Sequence, residues 1–229
     1  MATRYSPAIV TSGLVLCLDA ANRKSYSGTG TGWADLSGNN INFTTFNTPT
    51  FSNNNLGCFT WNGTSTYATA PENSLFNTET LTMECWARTS NSNQNGFLFE
   101  KGTVNTQYAI FFESPNIKIR TNTVTSGITD LQFTAASYIQ SNVWFLVTAS
   151  YANGLKKFYI NGVLLGTQNV TGGFTTNANG MSIGAYGGFS GAKAYYYSGD
   201  IATMKFYNRA LTDAEVLQNY NATKSRFGL

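Results

Sequence analysis

Five aromatic residues crowd a glycine-rich stretch late in the chain: Tyr186, Phe189, Tyr195, Tyr196 and Tyr197. Aromatic faces beside planar polar groups are what a protein offers to the apolar face of a sugar ring, so this cluster is the candidate glycan site. Tyrosine is also enriched where proteins meet proteins, so a subunit interface competes for the same residues. Alternation into the following strand must bury at least one of the three consecutive tyrosines. A second candidate is the loop Asp35, Ser37, Asn39 and Asn40, whose oxygens suit a hard cation such as calcium. Asp35 and Asn39 are the residues such a site would use. The alternative for Asp35 is a turn cap, its carboxylate accepting from nearby backbone N–H groups.

Catalytic residue types are missing from the arrangements that chemistry needs. The chain has no histidine, which removes Ser–His–Asp and Cys–His arrangements, the commonest general base and His-ligated metals. A retaining glycosidase needs two carboxyl groups about 5–5.5 Å apart. Here 11 acidic residues are spread over 229 positions. Glu79 and Glu84 are the closest glutamates, and Glu79 precedes the strand that carries Glu84. No phosphate-binding glycine loop follows a strand. No catalytic residue and no resident cofactor is assigned, and the expectation is a protein that is not an enzyme.

Charge narrows the partners. Charged residues make up 11% of the chain and the net charge is +3, against about 25% charged in an average domain. Lysines and arginines are scattered, whereas nucleic-acid binding needs them clustered, so no nucleic acid is expected. No apolar run approaches the ~18 residues of a membrane span, and the start lacks a signal-peptide pattern. No membrane partner is expected, and the protein is expected to be soluble and not conventionally secreted. The three cysteines, Cys17, Cys58 and Cys85, each sit in an apolar or alternating run and are expected as buried thiols. Four Asn-x-Ser/Thr sequons, at Asn42, Asn62, Asn169 and Asn221, are read as composition.

The elements that must position these residues have period two. Leu81–Thr89 places Leu81, Met83, Cys85 and Ala87 on one face, with Thr82, Glu84, Trp86 and Arg88 on the other. Asn142–Tyr151 is apolar on both faces, so it belongs inside a sandwich. Asn153-Gly154 and Asn161-Gly162 separate three such runs and predict a three-strand meander through type I′ turns. Asn62-Gly63 and Asn179-Gly180 mark further turns. Some fourteen strands fit. Leu211-Thr212-Asp213-Ala214-Glu215-Val216 is a capping box with a hydrophobic staple, predicting one helix to about Tyr220 or Ala222. Trp33 and Trp61 are expected in the core. The fold class is all-β: a two-sheet antiparallel jelly-roll sandwich with one short C-terminal helix. Residues 1–12 form an N-terminal arm, 13–222 the sandwich and 223–229 a tail.

DLSGNN at 35–40, WNGTSTYATAP at 61–71, LTMECWART, VWFLVTASYANGLKKFYINGVLLG at 143–166, SIGAYGG at 182–188 and YSGDIATMKFYNRALTDAEVLQNY at 197–220 occur in the order of a known family. Together they resemble the laminin-G-like members of the concanavalin A-like lectin/glucanase superfamily. The resemblance implies the jelly roll. It also brings two motifs to check, and the sequence departs from both: the hydrolases' Glu-x-Asp-x-x-Glu is absent, and frequent acidic calcium positions are here Asn62, Thr66, Ala202 and Thr203. GLVLCLDAANRKSY, GTGWADLSGN and AEVLQNYNATKSRF resemble a narrower group of tailed-bacteriophage virion proteins. That likeness implies a structural protein made in the host cytoplasm and placed on the virion surface. It would decorate the particle, dock on capsid or tail proteins and form a homo-oligomer in the assembly, with Ala2–Ser12 and Lys224–Leu229 as docking segments. The alternative is a host-recognition adhesin that binds cell-surface glycans.

Overall fold

The computed structural model describes residues 8–53, 57–102 and 106–229. Its strands in chain order begin with β1 (Leu14–Asp19), β2 (Gly32–Trp33), β3 (Phe43–Phe46), β4 (Thr50–Ser52), β5 (Cys58–Asn62), β6 (Tyr67–Ala70), β7 (Leu81–Arg88) and β8 (Asn95–Lys101). They continue as β9 (Tyr108–Glu113), β10 (Asn116–Thr123), β11 (Gly127–Thr134), β12 (Phe145–Ala152), β13 (Leu155–Ile160), β14 (Val163–Asn169), β15 (Met181–Ile183) and β16 (Ser198–Tyr207). Two more strands are present than the fourteen expected, because β2 and β4 are too short to show a period.

The Asn-Gly turns organise the meander as expected. Asn153 and Gly154 take φ of 51° and 77°, and Asn161 and Gly162 take 53° and 79°. Both central residues are left-handed, so β12, β13 and β14 pair antiparallel through type I′ turns. Asn62-Gly63 turns differently. Only Gly63 is left-handed, and the Asn62 Oδ1 accepts from the N–H groups of Thr64, Ser65 and Thr66. Asn142 also has positive φ, 63°, which a strand cannot contain, so the apolar run expected from Asn142 enters the sheet only at Phe145.

The strands form two eight-stranded sheets. The first runs β14-β13-β12-β7-β16-β5-β4, with β1 also on β16. The second runs β11-β10-β9-β8-β15-β6-β3-β2. Their inner faces make one core, to which the first sheet gives Leu81, Met83, Cys85, Phe145, Val147 and Ala149. The second gives Phe99, Ile110, Phe112, Ile117 and Ile119, and Trp33 and Trp61 lie in the same core. This is the two-layer antiparallel sandwich that strict alternation demands. All three cysteines are buried and none is in a disulfide; burial pushes the Cys58 thiol up to about 11.

The outer face of the first sheet is roofed. Helix α1 (Asp213–Thr223) starts at the expected capping box: the Glu215 N–H donates to Thr212 Oγ1 and the Thr212 N–H to Glu215 Oε2. Arg209, doubly bonded to Glu215, holds that carboxyl down at about 2. Leu211 and Val216 pack with Tyr159 and Tyr207 beneath. After α1 the chain turns back and stacks Phe227 on Trp86, centroids 4.1 Å apart. Arg226 reaches Asp19 at 2.8 Å. The expected docking tail Lys224–Leu229 therefore spends its aromatic ring and its arginine on its own sandwich. Of the expected arm Ala2–Ser12, residues 2–7 lie outside the described residues. Val10 is tied down by Asn219 Oδ1 at 2.7 Å and by the Tyr207 hydroxyl at 3.0 Å.

Candidate functional site

The outer face of the second sheet has no such roof. Alternation along β8 to β11 sends a separate set of side chains outward. Phe97 stands opposite Phe111, and Arg120 opposite Asp130. The two phenylalanine rings stack at 4.6 Å and 9°. Arg120 lies over the Phe111 ring at 4.7 Å and binds Asp130 twice, Nε to Oδ1 at 2.9 Å and Nη2 to Oδ2 at 2.8 Å. That pairing raises the guanidinium's pKa further. Lys118 pairs with Glu113 and lies 3.9 Å from Asp130.

A loop spanning residues 184–197, between β15 and β16, closes over the phenylalanines. Tyr186 tilts against Phe97 at 5.3 Å, and Tyr195 meets Tyr186 edge-on at 6.0 Å. The Phe97 N–H donates to the Tyr195 carbonyl at 3.1 Å, and Tyr186 and Ala194 pair across the loop. Two charges clamp its tip. Glu100 Oε2 accepts from the N–H groups of Gly187 and Gly188 at 2.6 and 3.1 Å, and Oε1 accepts from Thr106 at 2.5 Å. Lys193 donates to the carbonyls of Gly187, Gly188 and Gly191. A Cβ at Gly188 would collide with the Gly102 carbonyl oxygen, so the glycine is required for the loop to seat. Glu100 is fully buried, and that burial pushes its carboxyl up to about 7 against the bonds that lower it.

What remains between loop and sheet is a cleft of about 530 Å³, within the roughly 300–1,000 Å³ of small-ligand sites. Phe97, Phe111 and the two tyrosines supply apolar walls; Asn95, Glu113 and Arg120 supply polar ones. Asn95 Oδ1 accepts from the Ser114 N–H, which leaves its Nδ2 as a donor without a partner among the described residues. Tyr195 is 58% exposed.

The five aromatics expected as the site separate. Tyr186 and Tyr195 form the cleft. Phe189 is exposed on the loop but does not line it. Tyr196 is half-buried, 6.4 Å from Tyr67. Tyr197 is a correction: it is fully buried, stacks on Phe112 at 6.0 Å and donates to the Arg88 carbonyl. The residue before β16 has to turn inward for that strand to pair. Phe97, Phe111, Arg120 and Glu113 were not singled out from the sequence. For Phe111, Glu113 and Arg120 the signal was the outward half of the alternation in YAIFFE and NIKIRTNT; Phe97 sits where a register shift in β8 breaks the alternation.

The other candidate site resolves into a turn. Asp35 Oδ1 accepts from the N–H groups of Cys17 and Ser37, and Oδ2 from the Ser37 hydroxyl and the Ile41 N–H. Asn39 Nδ2 donates to the Val15 carbonyl. The carboxylate's lone pairs are taken by donors, which is the turn cap. Among the described residues no group of three or more His, Cys, Asp or Glu side chains could hold a metal ion, and no helix is long and apolar enough to cross a membrane.

Two antiparallel sheets with a ligand-sized cleft on one outer face define a sandwich of the lectin type. The chain belongs to the concanavalin A-like lectin/glucanases superfamily, whose laminin-G-like family model matches residues 62–217. No curated protein matches the sequence significantly. Solved structures do. The binding domain of Paraclostridial Mosquitocidal Protein 1 superposes with a TM-score of 0.74 at 19% identity, over 92% of this chain and 52% of that one. The binding domain of botulinum neurotoxin DC is similar in complex with SialylT (0.74, 16%) and in complex with rat synaptotagmin II (0.73, 17%); each match covers 93% of this chain and 52% of the toxin domain. At these identities the likeness is one of fold, and the chain spans about half the length of those domains.

Proposed function

We propose that the chain is a glycan-binding module that takes a sugar in the cleft between Phe97, Arg120 and Tyr195. One observation carries this reading: an aromatic wall and a fan of hydrogen-bond donors converge on a single open cleft. A pyranose can lay its apolar face on Tyr195 while its hydroxyls meet Arg120 Nη1, Asn95 Nδ2 and Glu113. The reading is of binding without turnover, because Glu113 is the one carboxyl among the described residues lining the cleft, whereas glycoside hydrolysis uses a facing pair. The superfamily membership supports it, as does the occurrence of a SialylT complex among the structural neighbours.

The terminal motifs' resemblance to phage virion proteins implies such a module on a particle surface, where glycan binding would be host recognition. That context rests on the resemblance alone.

The test is a glycan array followed by calorimetry. Hits are expected, and Tyr195→Ala should weaken the best of them by about tenfold or more, as a lost stacking partner does. An array without hits, or full affinity in Tyr195→Ala, overturns the proposal.

A further inference from the structure

The charges around the cleft say which sugars it takes, if the glycan-binding reading above holds. We infer that the ligand is an uncharged glycan, and that Asp130 and Glu113 set this specificity by neutralising the cations that an acidic sugar would need.

Three cations stand near the cleft, and each is already engaged within the fold. Arg120 presents the edge that would grip a carboxylate to Asp130 instead, with both bonds below 3 Å. A second bidentate partner has no place on that edge. Lys118 is bound to Glu113 and sits beside Asp130. Lys193 has its ammonium wrapped by loop carbonyls, with buried Glu100 behind it. Glu113 is the most exposed of the four charges: its side chain is 55% exposed, against 11% for Lys118, 22% for Arg120 and 19% for Asp130. An approaching sialic acid, uronate or sulfate meets Glu113 first. At Arg120 it would find a charge already balanced by Asp130, with only the Nη1 side left to donate.

A neutral sugar faces neither cost. Arg120 keeps Nη1 for a hydroxyl while Asp130 holds the guanidinium over the Phe111 ring. Glu113 accepts from a hydroxyl as readily as it repels a carboxylate. The ion pairs thus serve as a rigid neutral platform.

Matched glycan pairs differing only in an acidic sugar test this: lactose against 3′-sialyllactose, and N-acetyllactosamine against its 6-sulfated form. The neutral member of whichever pair binds should be favoured by at least about tenfold, since like-charge juxtaposition is strongly disfavoured. Its affinity should change little with added salt. The double variant Glu113→Gln/Asp130→Asn, near-isosteric and checked for folding by circular dichroism, should lose the preference or reverse it. Equal or tighter binding of the acidic member by the wild-type protein overturns this inference and leaves glycan binding standing. Failure of every glycan, neutral and acidic, overturns glycan binding itself and this inference with it.

Discussion

On the outer face of the first sheet, Glu84, Trp86 and Tyr207 are buried beneath α1 and the C-terminal tail. On the outer face of the second, Phe97 and Phe111 are covered by two tyrosines of a loop and by the Arg120 guanidinium. Both faces carry aromatic rings and ion pairs, so composition does not separate them. What separates them is where their polar groups find partners. Under the helix, Glu84 is met by Lys205, Asn219 and Thr148, and the Tyr207 hydroxyl by the Val10 carbonyl and Asn219. In the cleft, Arg120 Nη1, Asn95 Nδ2 and the Tyr195 hydroxyl have no partner among the described residues. The first face is sealed by the chain's own helix and tail, and a donor it leaves unpartnered, Trp144 Nε1, is buried there; the second leaves its donors at an open cleft.

The strongest way to break this comparison is to unbalance the closed face. Lys205 lies 3.4 Å from Glu84 with both side chains almost fully buried. Removing one partner of a buried pair costs about 3–5 kcal/mol, because the other charge stays uncompensated, whereas replacing both with apolar groups is often neutral. Lys205→Met should lower urea stability by that amount, and Glu84→Leu/Lys205→Met should recover most of it. A neutral single variant would mean that the roof does not rest on this network.

Glu100 gives a smaller effect and belongs to the open face. Its carboxyl is raised to about 7 from an ordinary 4.5, so between those values the folded protein holds a proton that the unfolded chain has lost. Stability from this group is therefore fully present below about pH 4.5 and is lost as pH rises through about 7. The loss is on the order of 3 kcal/mol. With no histidine in the chain, this window is nearly free of other titrations. Glu100→Gln still accepts from Gly187 and Gly188, so thermal melts from pH 5 to 8 should be flatter in the variant than in the wild type. Parallel curves would mean that the loop tip is better hydrated than its burial implies.

The closed face was the more legible of the two in the sequence, for a physical reason. Its helix is announced by a capping box, a bond between residues three apart, and its meander by Asn-Gly pairs that need left-handed φ. Both signals are local. The cleft depends on register. Phe97 meets Phe111 across fourteen residues and Arg120 meets Asp130 across ten, and a slip of one residue would turn each of them into the core. Alternation showed that one of Tyr195–Tyr197 must be buried, but which one is decided by where β16 begins to pair. The packing of the tail was not legible either, because its partners, Trp86 and Asp19, are more than a hundred residues away.

The smallest expected change in stability is also the sharpest for the comparison. Tyr195 is largely exposed, its hydroxyl is unbonded among the described residues, and its ring meets Tyr186 edge-on at 6.0 Å and lies tilted 6.4 Å from Phe97. The loop's own anchors, Glu100, Lys193 and the Phe97 N–H to the Tyr195 carbonyl, do not involve that ring. Tyr195→Ala should therefore shift the unfolding free energy by no more than about 0.5 kcal/mol, the range of surface substitutions. The same variant should lose about tenfold or more in glycan affinity. A loss of stability on the scale of Lys205→Met would instead make the ring part of the fold, and the open face would then be a second closed one.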